Sequence, residues 1–246
     1  MALTRTLFWE TASPTGTGGD ITSTSRTYNS GELIVVVFGT SDNTDAASLT
    51  IANSGTAQIW TALPVTNTAG NCKMAGWFCI MSVTQAMTVT VSGSGGGAGS
   101  SMASCIGVVQ HTGQHATTPV PAGNRFSGVG ATDVSQAITP TSAGSMLCMI
   151  AGDWSAGNTF VARANCTLEQ TYAPAFATFT LIRPTTQPLP DTSAFTLGET
   201  DTAGTIAWVA FELQAQTAAE VALGKVIDYS KFPIEKLAAG PRSLLR

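Results

Sequence analysis

Apolar residues in this chain fall in short alternating or continuous runs separated by Gly, Pro, Ser and Thr, a pattern that predicts strands joined by turns. Gly31 to Phe38 is a β-branched run between Gly-containing turns, which predicts a strand buried on both faces. Met87 to Val91 alternates apolar and polar residues at period two, as a half-buried strand does, and Ser193 to Leu197 repeats that alternation. Thr205 to Leu213 predicts a long strand late in the chain, with Ile206, Trp208 and Ala210 on one side and Val209 and Phe211 on the other. No long amphipathic helix is legible before residue 217, so the fold class is all-β.

The strand pattern also repeats. Gly31 to Asp42 resembles Gly144 to Ser155, Trp77 to Met81 resembles Phe179 to Arg183, and Ser101 to Gln110 answers Gly204 to Leu213. These matches predict an antiparallel, jelly-roll-like β-sandwich over residues 1–217 with pseudo-repeats at about 28–112 and 142–217, joined by a Thr/Pro/Gly/Ala-rich connector at 113–141. Two small domains and one intertwined sandwich both fit. The second is favoured, because roughly five strands per half would leave a face uncovered.

Charge changes the picture. Hydrophobic content is ordinary at 43%, but only 11% of residues are charged, less than half the usual quarter. Such a surface is poorly suited to solitary life at high concentration and reads as one meant to be covered. Residues 1–217 carry six Lys and Arg against twelve Asp and Glu, a net of −6, whereas 218–246 carry five against three, a net of +2. An acidic body argues against nucleic-acid binding by that body.

Thr217-Ala-Ala-Glu220 has the form of a capping box and predicts a helix of at most two turns ending near Gly224. Beyond it Tyr229, Phe232, Ile234, Leu237, Arg242, Leu244 and Leu245 space apolar and basic anchors among Pro233, Gly240 and Pro241, the composition of an extended arm that orders against a protein partner. Cys72, Cys79, Cys105, Cys148 and Cys166 are odd in number, lack CxxC spacing and read as small buried hydrophobes of a reducing compartment. The start has no apolar signal core, and the longest strongly apolar runs, Leu33 to Phe38 and Met146 to Ala151, fall far short of the ~18 residues that span a bilayer, so neither export nor membrane insertion is expected.

Candidate chemistry is sparse. Gly93 to Ala98 matches G-x-G-x-x-A, but the next apolar run reads as a strand, so the segment is expected to be a hairpin loop rather than a dinucleotide site. His111 and His115 are separated by Gly113 and followed by Thr-Thr-Pro, so they read as solvated loop residues with no metal. Ser155 lacks the first Gly and the helix of a nucleophile elbow. Trp154 beside Asp153 and Asn158 is a candidate platform for a sugar ring, set against the plainer reading of a Trp folded over a sheet edge. No cofactor, metal or catalytic residue is expected, and the chain is not read as an enzyme.

The succession Ser-Gly-Glu-Leu-Ile-Val-Val-Val, Met-Thr-Val-Thr-Val-Ser-Gly, Cys-Ile-Gly-Val-Val, Ala-Gly-Ser-Met-Leu-Cys-Met-Ile and Thr-Ile-Ala-Trp-Val-Ala-Phe-Glu-Leu resembles a β-sandwich family of tailed-bacteriophage structural proteins over roughly residues 28–215. The resemblance implies a virion protein made in the host cytoplasm: a head decoration, cement or minor capsid protein, or a tail or fibre component. Its implied partners are major capsid or tail subunits and further copies of itself. The rival expectation is a carbohydrate- or receptor-binding module of a tail or fibre. The arm departs from the family pattern, so the resemblance does not speak to attachment.

Overall fold

The computed structural model describes residues 3–12, 21–40, 49–67, 72–93, 104–131, 133–153, 159–173, 177–200 and 204–217. The described chain is all β and its strand pairings are antiparallel. Its first half contains β1 (Thr4–Ala12), β2 (Ile21–Thr22), β3 (Arg26–Tyr28), β4 (Leu33–Thr40), β5 (Leu49–Asn53), β6 (Thr61–Ala62), β7 (Thr66–Asn67), β8 (Lys73–Ile80), β9 (Gln85–Met87), β10 (Val89–Gly93) and β11 (Ser104–Thr112). The second half contains β12 (Arg125–Gly130), β13 (Asp133–Ile138), β14 (Met146–Asp153), β15 (Val161–Ala162), β16 (Cys166–Tyr172), β17 (Thr178–Pro184), β18 (Phe195–Thr200) and β19 (Ile206–Leu213). A three-residue 3-10 turn, Ala122–Asn124, is the helical element among the described residues.

Each half builds a large sheet and a small one in the same order. The large sheets run β1-β11-β4-β8-β6 and β12-β19-β14-β17-β16, and the small ones run β2-β10-β5 and β13-β18-β15. Alternation along the strands explains how these sheets stack, because successive side chains point to opposite faces. Ile34, Val36 and Phe38 of β4 join Ile21, Val89 and Val91 in a core between the first half's large and small sheets. Leu147, Met149 and Ala151 of β14 do the same with Val134 and Leu197 in the second half. The remaining faces meet each other: Leu33, Val35 and Val37 pack with Cys148, Ile150, Val209 and Phe211 in a third core shared by the halves. The stack is therefore small sheet, large sheet, large sheet, small sheet, with an apolar core at every junction. This explains why β4, β14 and β19 are buried at every position.

Strands pair within a half, and the isolated bridge between Gln114 and Ala215 links the two. The segment 113–141, expected to be a connector, holds β12 and β13, so the second set of strands starts at Arg125 as the first starts at Thr4. β12 is half-exposed and rich in Gly and Ser, and it therefore carries no strong hydrophobic period. The single strand expected at Met87 to Val91 is two: β9 pairs with β3, and β10 pairs with β2 and β5. The expected hairpin loop at Gly93 to Ala98 lies, after Gly93, outside the described residues; the strands on either side, β10 and β11, belong to different sheets. The expected C-terminal helix and arm lie outside the described residues.

Two glycines let the large sheets close on each other. Gly39 pairs with Met74 and Gly152 with Phe179, equivalent positions in the two halves. A Cβ at Gly39 would stand 2.7 Å from Phe179 Cδ1 and 3.1 Å from Met74 Cε, and one at Gly152 would stand 2.6 Å from Phe179 Cδ1. The missing side chains are thus the space that Phe179 and Met74 occupy. Gly152→Ala is expected to destabilise the fold by about 1–3 kcal/mol through overpacking, whereas Gly123→Ala, which meets open space, is expected to change stability by less than about 0.5 kcal/mol. Urea denaturation of both variants measures the contrast.

Candidate functional site

The end of the body from which the C-terminal segment departs is built by two equivalent turns. Asn29 to Glu32 and Ser142 to Ser145 each close with a glycine at φ +85°, Gly31 and Gly144, where a side chain would be strained. Gly31 N donates to Met81 O and Gly144 N to Leu189 O, both at 2.8 Å, and Met81 N and Leu189 N return 2.8 Å bonds to Glu32 O and Ser145 O. The chain then leaves β19 along this end. Gln214 N donates to Pro119 O at 2.8 Å, His115 N to Gln214 O at 2.8 Å and Gln216 N to Gly113 O at 2.9 Å, which carries the backbone in a fixed path to Thr217. Gln114 Nε2 donates to Gly31 O at 2.6 Å and ties that path to the first turn. His115 caps the same region: its Nδ1 accepts from Thr117 N at 3.3 Å and from Thr118 N at 3.2 Å.

Each turn is locked by a buried carboxylate. Glu212 on β19 is fully buried; Oε1 accepts from Thr141 N at 2.9 Å, Thr141 Oγ1 at 2.8 Å and Ser145 Oγ at 2.7 Å, and Oε2 accepts from Asn124 Nδ2 at 2.5 Å. In the first half the acid sits on the turn instead. Glu32 accepts from Asn29 N at 2.7 Å, Asn29 Nδ2 at 2.9 Å and, from β11, Gln110 Nε2 at 2.6 Å. The register makes Gln110, opposite Ile34, the counterpart of Glu212, opposite Leu147. The same bond between turn and last strand is made with donor and acceptor exchanged. These carboxylates are saturated with donors, which marks them as structural fasteners.

Beside this end, Arg5 on β1 forms an ion pair with Glu169 on β16, and Arg183 Nε lies 3.7 Å from the other oxygen of that carboxylate. The cluster lines an open hollow of about 340 Å³ with Leu3, Leu7, Met146, Gln187 and Pro188, and it stitches an edge of one large sheet to an edge of the other. At the opposite edges, the Arg125 guanidinium lies 4.8 Å from the centroid of the Phe78 ring.

His111 differs from expectation. It lies within β11, is 1% exposed and places Nδ1 3.2 Å from Thr4 O. Burial, with the Arg5 charge adding to it, holds the imidazole down to about 3 from its ordinary 6.5. The residue continues the inward series Cys105, Gly107, Val109, the period-two signal that would have placed it on the strand. The five thiols are free and buried, and burial pushes Cys79 and Cys148 up to about 12, as expected of unreactive small hydrophobes.

The arm residues Tyr229, Phe232, Ile234, Leu237, Arg242, Leu244 and Leu245 lie outside the described residues, as do Trp154 and Asn158. Asp153 is described and ends β14, but it is 1% exposed, so its side chain faces the interior and not a sugar. Sequence reasoning missed Glu32, Gln110 and Glu212, whose isolated polar character within apolar runs was the available signal. Comparison with family models, curated proteins and solved structures finds no match to this chain.

A pH dependence follows from His111. Its folded value is depressed, so the unfolded chain binds the proton first as pH falls below about 6.5, and the folded chain resists until about 3. The stability present above pH 6.5 is therefore lost progressively through that window, at a slope approaching about 1.4 kcal/mol per pH unit. His111→Leu installs the residue found at the equivalent position, Leu213. It is expected to flatten the fall in thermal midpoint between pH 6.5 and 4 relative to wild type, as read by calorimetry.

Proposed function

We propose that this chain is a structural protein of a tailed-bacteriophage virion, a head decoration, cement or minor capsid protein, whose body is a duplicated jelly-roll-like β-sandwich and whose residues 218–246 anchor it to neighbouring subunits. The observation that carries this reading is the exit path of the chain. Backbone hydrogen bonds hold it at one end of the body as far as Gln216, and the sequence then turns from a net −6 body to a net +2 segment with spaced apolar anchors. A body fixed up to the point of departure transmits whatever hold the arm obtains. Burial of Phe232, Ile234 and Leu237 in a partner's groove would contribute about 1.5–3 kcal/mol each, offset by the ordering of the segment.

Deleting 218–246 tests the proposal. The body is expected to remain folded while occupancy in purified particles drops by more than about tenfold, the effect of only 1.4 kcal/mol; unchanged occupancy overturns the anchoring role.

A second reading, a carbohydrate- or receptor-binding module, is favoured by a hollow of about 490 Å³ lined by Asn165, Thr185, Thr186, Asp191, Ser193 and Phe195. Asp191 accepts a bond from Ser193 N at 2.8 Å, which holds its carboxyl below the ordinary value, and it lines the hollow together with Asn165 and Phe195. Under this reading Asp191→Ala abolishes binding on a glycan array and leaves particle incorporation unchanged.

A further inference from the structure

From Ala46 to Asn124 the sequence contains a single Lys, Arg, Asp or Glu, Lys73, and that residue is 2% exposed. Residues 49–62, which form β5, β6 and the loop joining them, and residues 80–84 therefore carry no charged side chain. The second half, of matching sheet order, carries Asp133, Arg163, Glu169, Arg183 and Asp191 at half-exposed or exposed positions. Within the uncharged segments the loop joining β5 to β6 displays Ile59 at 90% exposure, with Ile80 at 38% and Val83 at 39% nearby. Ile59 lies two residues before β6, whose Thr61 and Ala62 pair with Phe78 and Trp77 on the strand that ends at Ile80.

Ile59 is not displayed by a loose loop. Asn53 Oδ1 accepts from Gln58 N at 3.0 Å and from Trp60 Nε1 at 3.2 Å, while Asn53 Nδ2 donates to Thr56 O at 2.9 Å. Gln58 Oε1 accepts from Ser82 N at 2.9 Å, and Gln85 grips both polar atoms of the Thr56 backbone at 2.7 and 2.8 Å. A side chain held this way loses little further entropy on burial, which is what gives a projecting apolar residue its value at an interface. Among the described residues β5 ends the sheet β2-β10-β5 and β6 ends its large sheet, and neither strand carries a charge of the kind that usually blunts such an edge.

We propose that these segments form a self-association face through which two copies of the chain meet, with Ile59 as its central knob. The occupant follows from charge. A body of net −6 repels its own copies through any charged face, and this uncharged loop is one on which two copies approach without that penalty; a two-fold contact sets the same patch against itself. The inference concerns the purified full-length chain and stands apart from its incorporation into any particle.

Sedimentation equilibrium of the full chain tests it. The wild type is expected to form dimers with a dissociation constant below about 100 μM. Ile59→Asp, and independently Val83→Asp on the neighbouring loop, are expected to raise that constant at least tenfold with an unchanged circular-dichroism spectrum. Val161→Asp, at a 55% exposed valine of the second half, is expected to leave it alone. A wild-type chain that stays monomeric over that range, or variants at positions 59 and 83 that associate as wild type does, overturns the proposal.

Discussion

The contact between the two large sheets is the constraint on which the rest of this structure depends. Each small sheet covers only one face of its large partner, and the uncovered faces would present Leu33, Val35, Val37, Ile150, Val209 and Phe211 to water. Neither half can satisfy that face alone, since each such side chain forfeits about 1.5–3 kcal/mol when exposed. Closure demands close approach of two sheets, and close approach is set by Gly39 and Gly152, whose absent side chains make room for Phe179 and Met74. Around this contact, the Arg5–Glu169 pair at one margin and Arg125 over Phe78 at the other fix how the sheets lie on each other.

Buried polar groups at the exit end serve the frame. The buried acids Glu32 and Glu212 are consumed in holding turns to last strands, and His111 is held neutral beneath Arg5. What remains for outside partners is the geometry of the departing chain, a mainly apolar hollow in the second half and an uncharged loop in the first. Equivalent sheets thus serve unequal surfaces: β5, β6 and the loop joining them carry no charge, whereas Asp133 stands on β13 and Arg163 beside β15 in the matching small sheet of the second half.

Much of the frame could be read from residues. The continuous runs of β4 and β19 announced burial on both faces, and the alternating sides of Ile206, Trp208 and Ala210 against Val209 and Phe211 match the two cores they join. The reading stopped where burial is partial. β12 and β13 escaped notice because an edge strand of Arg-Phe-Ser-Gly-Val-Gly needs little apolar surface to pair. A run buried on both sides says that two layers cover it, but not that one of them is the chain's own second half. Of the candidate site, composition singled out the arm; the loop around Ile59 was silent, because its rigidity comes from side-chain bonds of Asn53, Gln58 and Gln85 that no local pattern encodes.

The exchanged fasteners make the two halves unlike parts despite their matching sheet order. In one half the acid stands on the turn and its donor on the last strand; in the other these roles are reversed. A recombinant that placed the last strand of the second half beside the first turn would bring Glu32 and Glu212 together, two carboxylates competing for one set of donors. The reciprocal product would join Gln110 to Ser145 with no anion to organise either. Each turn therefore fits the last strand of its own half and not that of the other.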